Sequence, residues 1–88
     1  MYSYELGISV EKIFHKLSKK NPKQLLIIEK KINEIIQNPY HYKNLKAPLN
    51  HLRRVHIDKS FVLVFSIDEQ RNVEIIEDYQ HHDKIYLS

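Results

Sequence analysis

The chain has 88 residues, a single glycine, no cysteine, a net charge of +3 and a pI of about 9.1. That describes one small domain, residues 1–88, with no disulfide and no thiolate metal site, and its longest apolar run, Phe61–Phe65, is far too short to span a membrane. The positive balance points to polyanionic partners, nucleic acid or an acidic protein segment, and the lack of cysteine fits a reducing cytoplasm.

Tyr2–Leu6 alternates as a half-buried strand does, and Gly7 breaks it. Ser9 is placed to cap a short helix in which Val10, Ile13, Phe14 and Leu17 form one apolar stripe. Ser18-Lys19-Lys20 closes that helix. Asn21-Pro22-Lys23-Gln24 opens a second: Asn21 caps, Pro22 takes the first helical position, and Gln24 follows three residues after the cap. Its stripe is Leu25, Ile28, Ile32, Ile35 and Ile36, and Asn38-Pro39 stops it. Two helices joined this tightly predict an antiparallel hairpin.

Residues 40–50 have no period and read as a structured loop carrying Lys43 and Lys46. From Arg53 the pattern is strand-like. Val55 and Ile57 share one face, and Arg54 and His56 the other. Asp58-Lys59-Ser60 is a turn, and Phe61–Phe65, apolar on both faces, is a central strand. Asp68–Asn72 is a second turn, and a last strand begins at Val73 and ends near Glu77. The expected fold is α+β: an N-terminal strand, a helix hairpin, a three-stranded antiparallel meander and a short C-terminal helical turn. The hairpin covers one sheet face, and the face with Arg54 and His56 stays open.

The chain ends Asp78-Tyr79-Gln80-His81-His82-Asp83-Lys84-Ile85-Tyr86 before its last two residues. In a helical turn His82 and Tyr86 lie on one face and His81 points elsewhere. Adjacent histidines on a helix diverge by about 100°, so they do not converge on one ion. No metal site and no cofactor is expected. A tail leaving the sheet can fold over the open face and meet Arg54 and His56. Arg54, Lys43, Lys46 and Arg53 offer fixed positive charge for a phosphate and its transition state. His56 and His82 can give and take protons. Tyr86 can stack on a base or carry a proton. Such parts suit a metal-independent ribonuclease, in which a ribose 2′-hydroxyl attacks its own 3′ phosphate.

Over nearly its whole length the chain resembles the RelE/ParE toxin superfamily. The resemblance lies in the element order, in the run from Leu45 to Ile57 (Leu-Lys-Ala-Pro-Leu-Asn-His-Leu-Arg-Arg-Val-His-Ile), in the buried strand, and in the ending His81-His82-Asp83-Lys84-Ile85-Tyr86. That ending looks like the family's His-Arg-Arg-x-x-Tyr, with histidine in place of the first arginine, as in the YafQ-like branch. The resemblance implies a type II toxin that cuts messenger RNA on the ribosome and is neutralised by a cognate antitoxin, RelB-like, acidic and largely helical. It implies catalytic roles for Arg54, His56, His82 and Tyr86, with His82 as general acid, and RNA contacts for Lys43, Lys46, Arg53 and His81. The sequence departs from the RelE pattern at Lys59-Ser60-Phe61-Val62, which has no arginine inside the third strand. That moves weight onto the histidines. Two other functions fit a chain of this type: ParE-like inhibition of DNA gyrase, which needs no acid–base residues, and an inactive toxin fold that only binds its antitoxin.

Overall fold

A computed structural model describes the backbone of residues 2–87 and the side chains of residues 2–84. The elements are β1 (Ser3–Leu6), α1 (Ile8–Lys20), α2 (Pro22–Gln37), β2 (Arg53–Ile57), β3 (Phe61–Asp68), β4 (Val73–His81) and α3 (His82–Leu87), with a 3-10 turn at Pro39–His41. The fold is α+β, as the sequence predicts. No helix among the described residues is long and apolar enough to cross a membrane.

Each helix is built from local signals. The α1 stripe buries Val10 and Phe14, with Ile13 and Leu17 at its margin. Its cap is Gly7, not Ser9: the Gly7 carbonyl accepts the Glu11 N–H at 2.9 Å, and Ser9 falls inside the first turn. Glycine suits this corner because a Cβ on Gly7 would stand 3.1 Å from the Ile76 carbonyl oxygen. At α2 the cap is the expected one. Asn21 Oδ1 accepts the Gln24 N–H at 3.2 Å and Pro22 opens the helix. Asn21→Ala therefore costs about 1 kcal/mol, and a calorimetric scan should show Tm lower by about 4–8 °C.

The sheet order is β1-β4-β3-β2. The meander is antiparallel, and β1 joins β4 in parallel as the fourth strand. Asp58 and Asn72, at the two hairpin turns, hold φ of 57° and 55°, a left-handed conformation that Asp and Asn tolerate best after glycine. The core between helices and sheet collects Val10, Phe14, Ile28, Ile32 and Ile35 against Val55, Ile57, Leu63, Phe65, Ile76 and Tyr79.

β4 does not end near Glu77 but runs to His81. Val64 pairs with Asp78 and Phe65 with Ile76, so Glu77 is an extra residue bulged out of the ladder. The bulge shifts the alternation. Ile76 and Tyr79, three apart, both face the helices, and the strict period of two that marks a strand in the sequence is lost at that point. Ser66 donates to the bulged Glu77 carboxylate at 2.7 Å.

The face away from the helices is less bare than expected. Val62 and Val64 point to it, yet they are 0% and 2% exposed. Their register partners on that face are His56 and Gln80 for Val62, and Arg54 and Asp78 for Val64. A polar row therefore flanks an apolar seam.

Candidate functional site

The outer edge of β2 is not left as a free strand. Arg54 N–H donates to the Lys43 carbonyl at 3.1 Å, Leu45 N–H to the Leu52 carbonyl at 2.9 Å, and Asn44 bridges Arg53. Residues 43–45 thus run as one more rung beside β2, which protects the edge and fixes Lys43 next to Arg54. Between this rung and the strand lies a cleft of about 350 Å³ lined by His41, Tyr42, Lys43, Arg54, Val55 and His56. Tyr42 forms its inner wall, edge-on to Phe65 with centroids 5.9 Å apart, and burial raises the pKa of its phenol. His56 is exposed and Arg54 half-buried.

Three predicted residues, Lys43, Arg54 and His56, therefore share one cleft. His41 lines it too, though nothing in the sequence pattern marks it as a site residue. Its only local signal is its place beside Tyr42 after a proline turn. Lys46 is exposed in the following loop and does not line the cleft. Arg53 has other partners. Expected among the RNA contacts, it stands on the face of Val55 and Ile57, donates to the Tyr42 carbonyl at 2.6 Å and covers the Tyr40 ring at 5.1 Å. It holds the 3-10 turn against β2.

The tail forms a second cluster. His82 N–H donates to the Ser60 carbonyl at 2.9 Å, and the His82 ring reaches the same oxygen from Nδ1 at 3.2 Å. A carbonyl can only accept, so Nδ1 carries the hydrogen. Nε2 is left facing Asp83 Oδ1 at 2.9 Å. The His81 and His82 rings stack at 4.7 Å with 26° between their planes, and His81 also meets Phe61 edge-on. This overturns the expected divergence of the two rings. His81 ends a strand and His82 begins a helix, so the angular step of a continuous helix does not apply between them. The backbone of α3 carries positions 82 and 86 in one helical segment; the Tyr86 side chain lies outside the described residues.

The two clusters stand at the same end of the sheet. His56 pairs with Val62 and Val62 with Gln80, two residues before His82. Two strand spacings separate the His56 and Gln80 backbones, roughly 10 Å. The tail packs on β3 and β4, so β3 lies between the cleft and the tail, and a ligand touching both must cross the Val62–Val64 seam. The other end of the sheet is acidic. Arg71 is held there between Glu5 at 2.9 Å and Asp68 at 2.8 Å. Fixed positive charge on the open face is thus gathered toward β2.

Residues 9–86 match the family described as the ParE toxin of the type II toxin–antitoxin system parDE. The chain is 57% identical, over 98% of its own length and 92% of the relative's, to the toxin candidate RelE4 of Methanocaldococcus jannaschii. Among solved structures, the YoeB/ParE toxin of Agrobacterium tumefaciens superposes with a TM-score of 0.82 at 11% identity, over 91% of this chain and 98% of that one. The intact RelBE toxin–antitoxin complex of E. coli superposes with a TM-score of 0.72 at 17% identity, over 92% and 96%.

Proposed function

Because the chain belongs to the ParE toxin family of type II toxin–antitoxin systems, we propose that it is a ribosome-dependent mRNA interferase working by acid–base catalysis. The observation that carries this reading is the cleft in which Lys43, Arg54 and His56 stand together, at the sheet end that also holds His82.

In the proposed reaction Arg54 and Lys43 hold the scissile phosphate and offset the charge that builds on its oxygens. One group takes the proton of the ribose 2′-hydroxyl, and the 2′-oxygen attacks phosphorus. The bond to the 5′-oxygen breaks, and a second group protonates that oxygen. His56, exposed in the cleft, suits the first step. His82 suits the second. Nδ1 donates to Ser60 and Nε2 faces Asp83 Oδ1 at 2.9 Å, so the ring is held in place from both sides, and a proton placed on Nε2 is the one available to a leaving group. Tyr86 is the remaining candidate for a proton or stacking role.

A toeprinting assay with purified protein on translating ribosomes tests this. Cleavage within the codon in the ribosomal A site is the expected result. Intact mRNA together with inhibited supercoiling by gyrase replaces it with the second reading, which the ParE description of the matching family favours. Neither effect leaves an inactive fold that only binds an antitoxin.

Neutralised phosphates have their own signature. Arg54→Ala and Lys43→Ala should each flatten the salt dependence of single-stranded RNA binding, by a slope of about 0.7 for each phosphate no longer neutralised. An unchanged slope places that residue outside the RNA path.

The reading includes a cognate antitoxin with an acidic, largely helical segment, as the solved RelBE structure is a toxin–antitoxin complex. Such a segment, ordering as it binds, buries about 1,000–3,000 Å². It should co-purify with this chain when both genes of the operon are expressed.

A further inference from the structure

We propose that His81, His82 and Asp83 form a binding site for a borderline divalent cation of the zinc class. One ligand atom from each of the three lies within 4.8 Å of the others. The two imidazoles and the carboxylate are already turned inward. Asp83 Oδ1 lies 2.9 Å from His82 Nε2, and Asp83 Oδ2 lies 3.5 Å from His81 Nδ1.

The hydrogen bonds set the ring nitrogens for coordination. Ser60 accepts from His82 Nδ1, so Nε2 is the nitrogen that offers a lone pair when the ring is neutral. Metal-bound histidines commonly carry this arrangement, one nitrogen on the ion and the other donating to a backbone carbonyl, because it fixes both tautomer and ring angle. On His81, Nδ1 accepts the Asp83 N–H at 3.3 Å, so that nitrogen is unprotonated, and its lone pair turns to an ion by giving up that long bond. A lone pair on Nε2 facing a carboxylate oxygen at 2.9 Å repels it unless a proton or a cation stands between them. Two imidazoles and one carboxylate make a nitrogen-rich set that suits zinc and its neighbours and leaves a position open for water or a ligand. Magnesium, which prefers oxygen ligands in an octahedron, fits poorly.

The junction of β4 and α3 makes the site. Three consecutive residues of one continuous helix would spread their side chains around its axis. Here the strand-to-helix corner, pinned by two bonds to Ser60, folds His81 back over His82. The site stands on this geometry alone. Its consequence rests on the ribonuclease reading: a bound cation occupies His82 Nε2, the nitrogen assigned to proton transfer, and silences the toxin.

Zinc chloride titrated into the purified full-length chain, followed by calorimetry, should give one saturable site per chain. His81→Ala and Asp83→Asn should each weaken it at least tenfold, and magnesium chloride in excess should not displace the zinc. In histidine-selective NMR of the wild type, one equivalent of zinc should move the His81 and His82 ring resonances and leave His15, His41, His51 and His56 in place. Equal affinity in wild type and both variants overturns the assignment. So does a shift at the other four histidines, an absence of saturable binding, or displacement by magnesium. None of these measurements uses RNA, so they fail or succeed independently of the ribonuclease reading.

Discussion

If the chain is the proposed mRNA interferase, His82→Ala should slow mRNA cleavage about 10²–10⁴-fold, the usual cost of losing a positioned acid or base. The fold should tolerate the change. The His82 N–H to Ser60 bond belongs to the backbone and remains. What disappears is the ring's bond to the same oxygen and a half-exposed pair with Asp83. A neutral hydrogen bond contributes about 0.5–1.5 kcal/mol net, and an exposed ion pair less than about 1 kcal/mol. Tm should therefore fall by about 4–8 °C for each kcal/mol lost, short of unfolding the protein, and affinity for the antitoxin should stay near that of the wild type. Single-turnover cleavage on programmed ribosomes is the measurement, with His51→Ala, in the exposed loop before β2, as the control. His56→Ala should lose a similar factor if the two histidines divide the proton transfers, and the wild-type rate should then be bell-shaped in pH. If Tyr86 carries the proton instead, Tyr86→Phe is the severe variant and His82→Ala the mild one. A fully active His82→Ala protein removes the histidine mechanism and leaves electrostatic positioning by Lys43 and Arg54.

Most local signals were disclosed by the sequence, the cap of α1 excepted. The Asn21 cap, the Pro22 start and the two apolar stripes are set by residues within a few positions of one another, and all stand as read. Strand alternation also bears on Arg53, which was expected among the RNA contacts. The alternation that pairs Arg54 with His56 puts Arg53 with Val55 and Ile57, on the helix side. The bulge at Glu77 was not legible, because it depends on how β3 and β4 pair, and the true end of β4 was hidden with it. The meeting of His81 and His82 depends on that end, since two adjacent side chains stack only if the backbone changes conformation between them. Lys43 joins Arg54 through a rung between segments distant in sequence, a pairing no local period reports. Glu74 was hidden for the same reason. In Val73-Glu74-Ile75-Ile76 either parity can face the core, and the register with Phe65 and Ile67 turns Glu74 inward.

Glu74 should make the protein lose stability as pH rises through neutrality. Its side chain is fully buried, and neither carboxylate oxygen has a hydrogen-bond partner among the described residues. Burial penalises the charged form and pushes its pKa from the ordinary 4.5 up to about 7. Between those values the folded chain keeps a proton that the unfolded chain has released, so each step up in pH favours unfolding. The contribution is fully present below pH 4.5 and fully lost above pH 7, a change of roughly 3 kcal/mol, large beside the ~5–15 kcal/mol that holds a domain folded. Asp68 and Glu34 act in the opposite sense. Ion pairs with Arg71 and Lys31 hold their pKa values below the usual range, and what they add is lost only as pH falls. Both are solvent-exposed pairs and add little. The wild-type curve sums every ionisable group, so alone it does not isolate Glu74. The difference between wild type and Glu74→Gln does, because all the other groups are common to both. Urea denaturation at pH 5.5 and 8.0 should show the wild type weaker at the higher pH and Glu74→Gln less sensitive. Glu74→Met, which fills a similar volume with nothing to ionise, should be the more stable protein at pH 8.0. If Glu74→Gln keeps the wild-type pH dependence, Glu74 is ionised and paired in the folded chain.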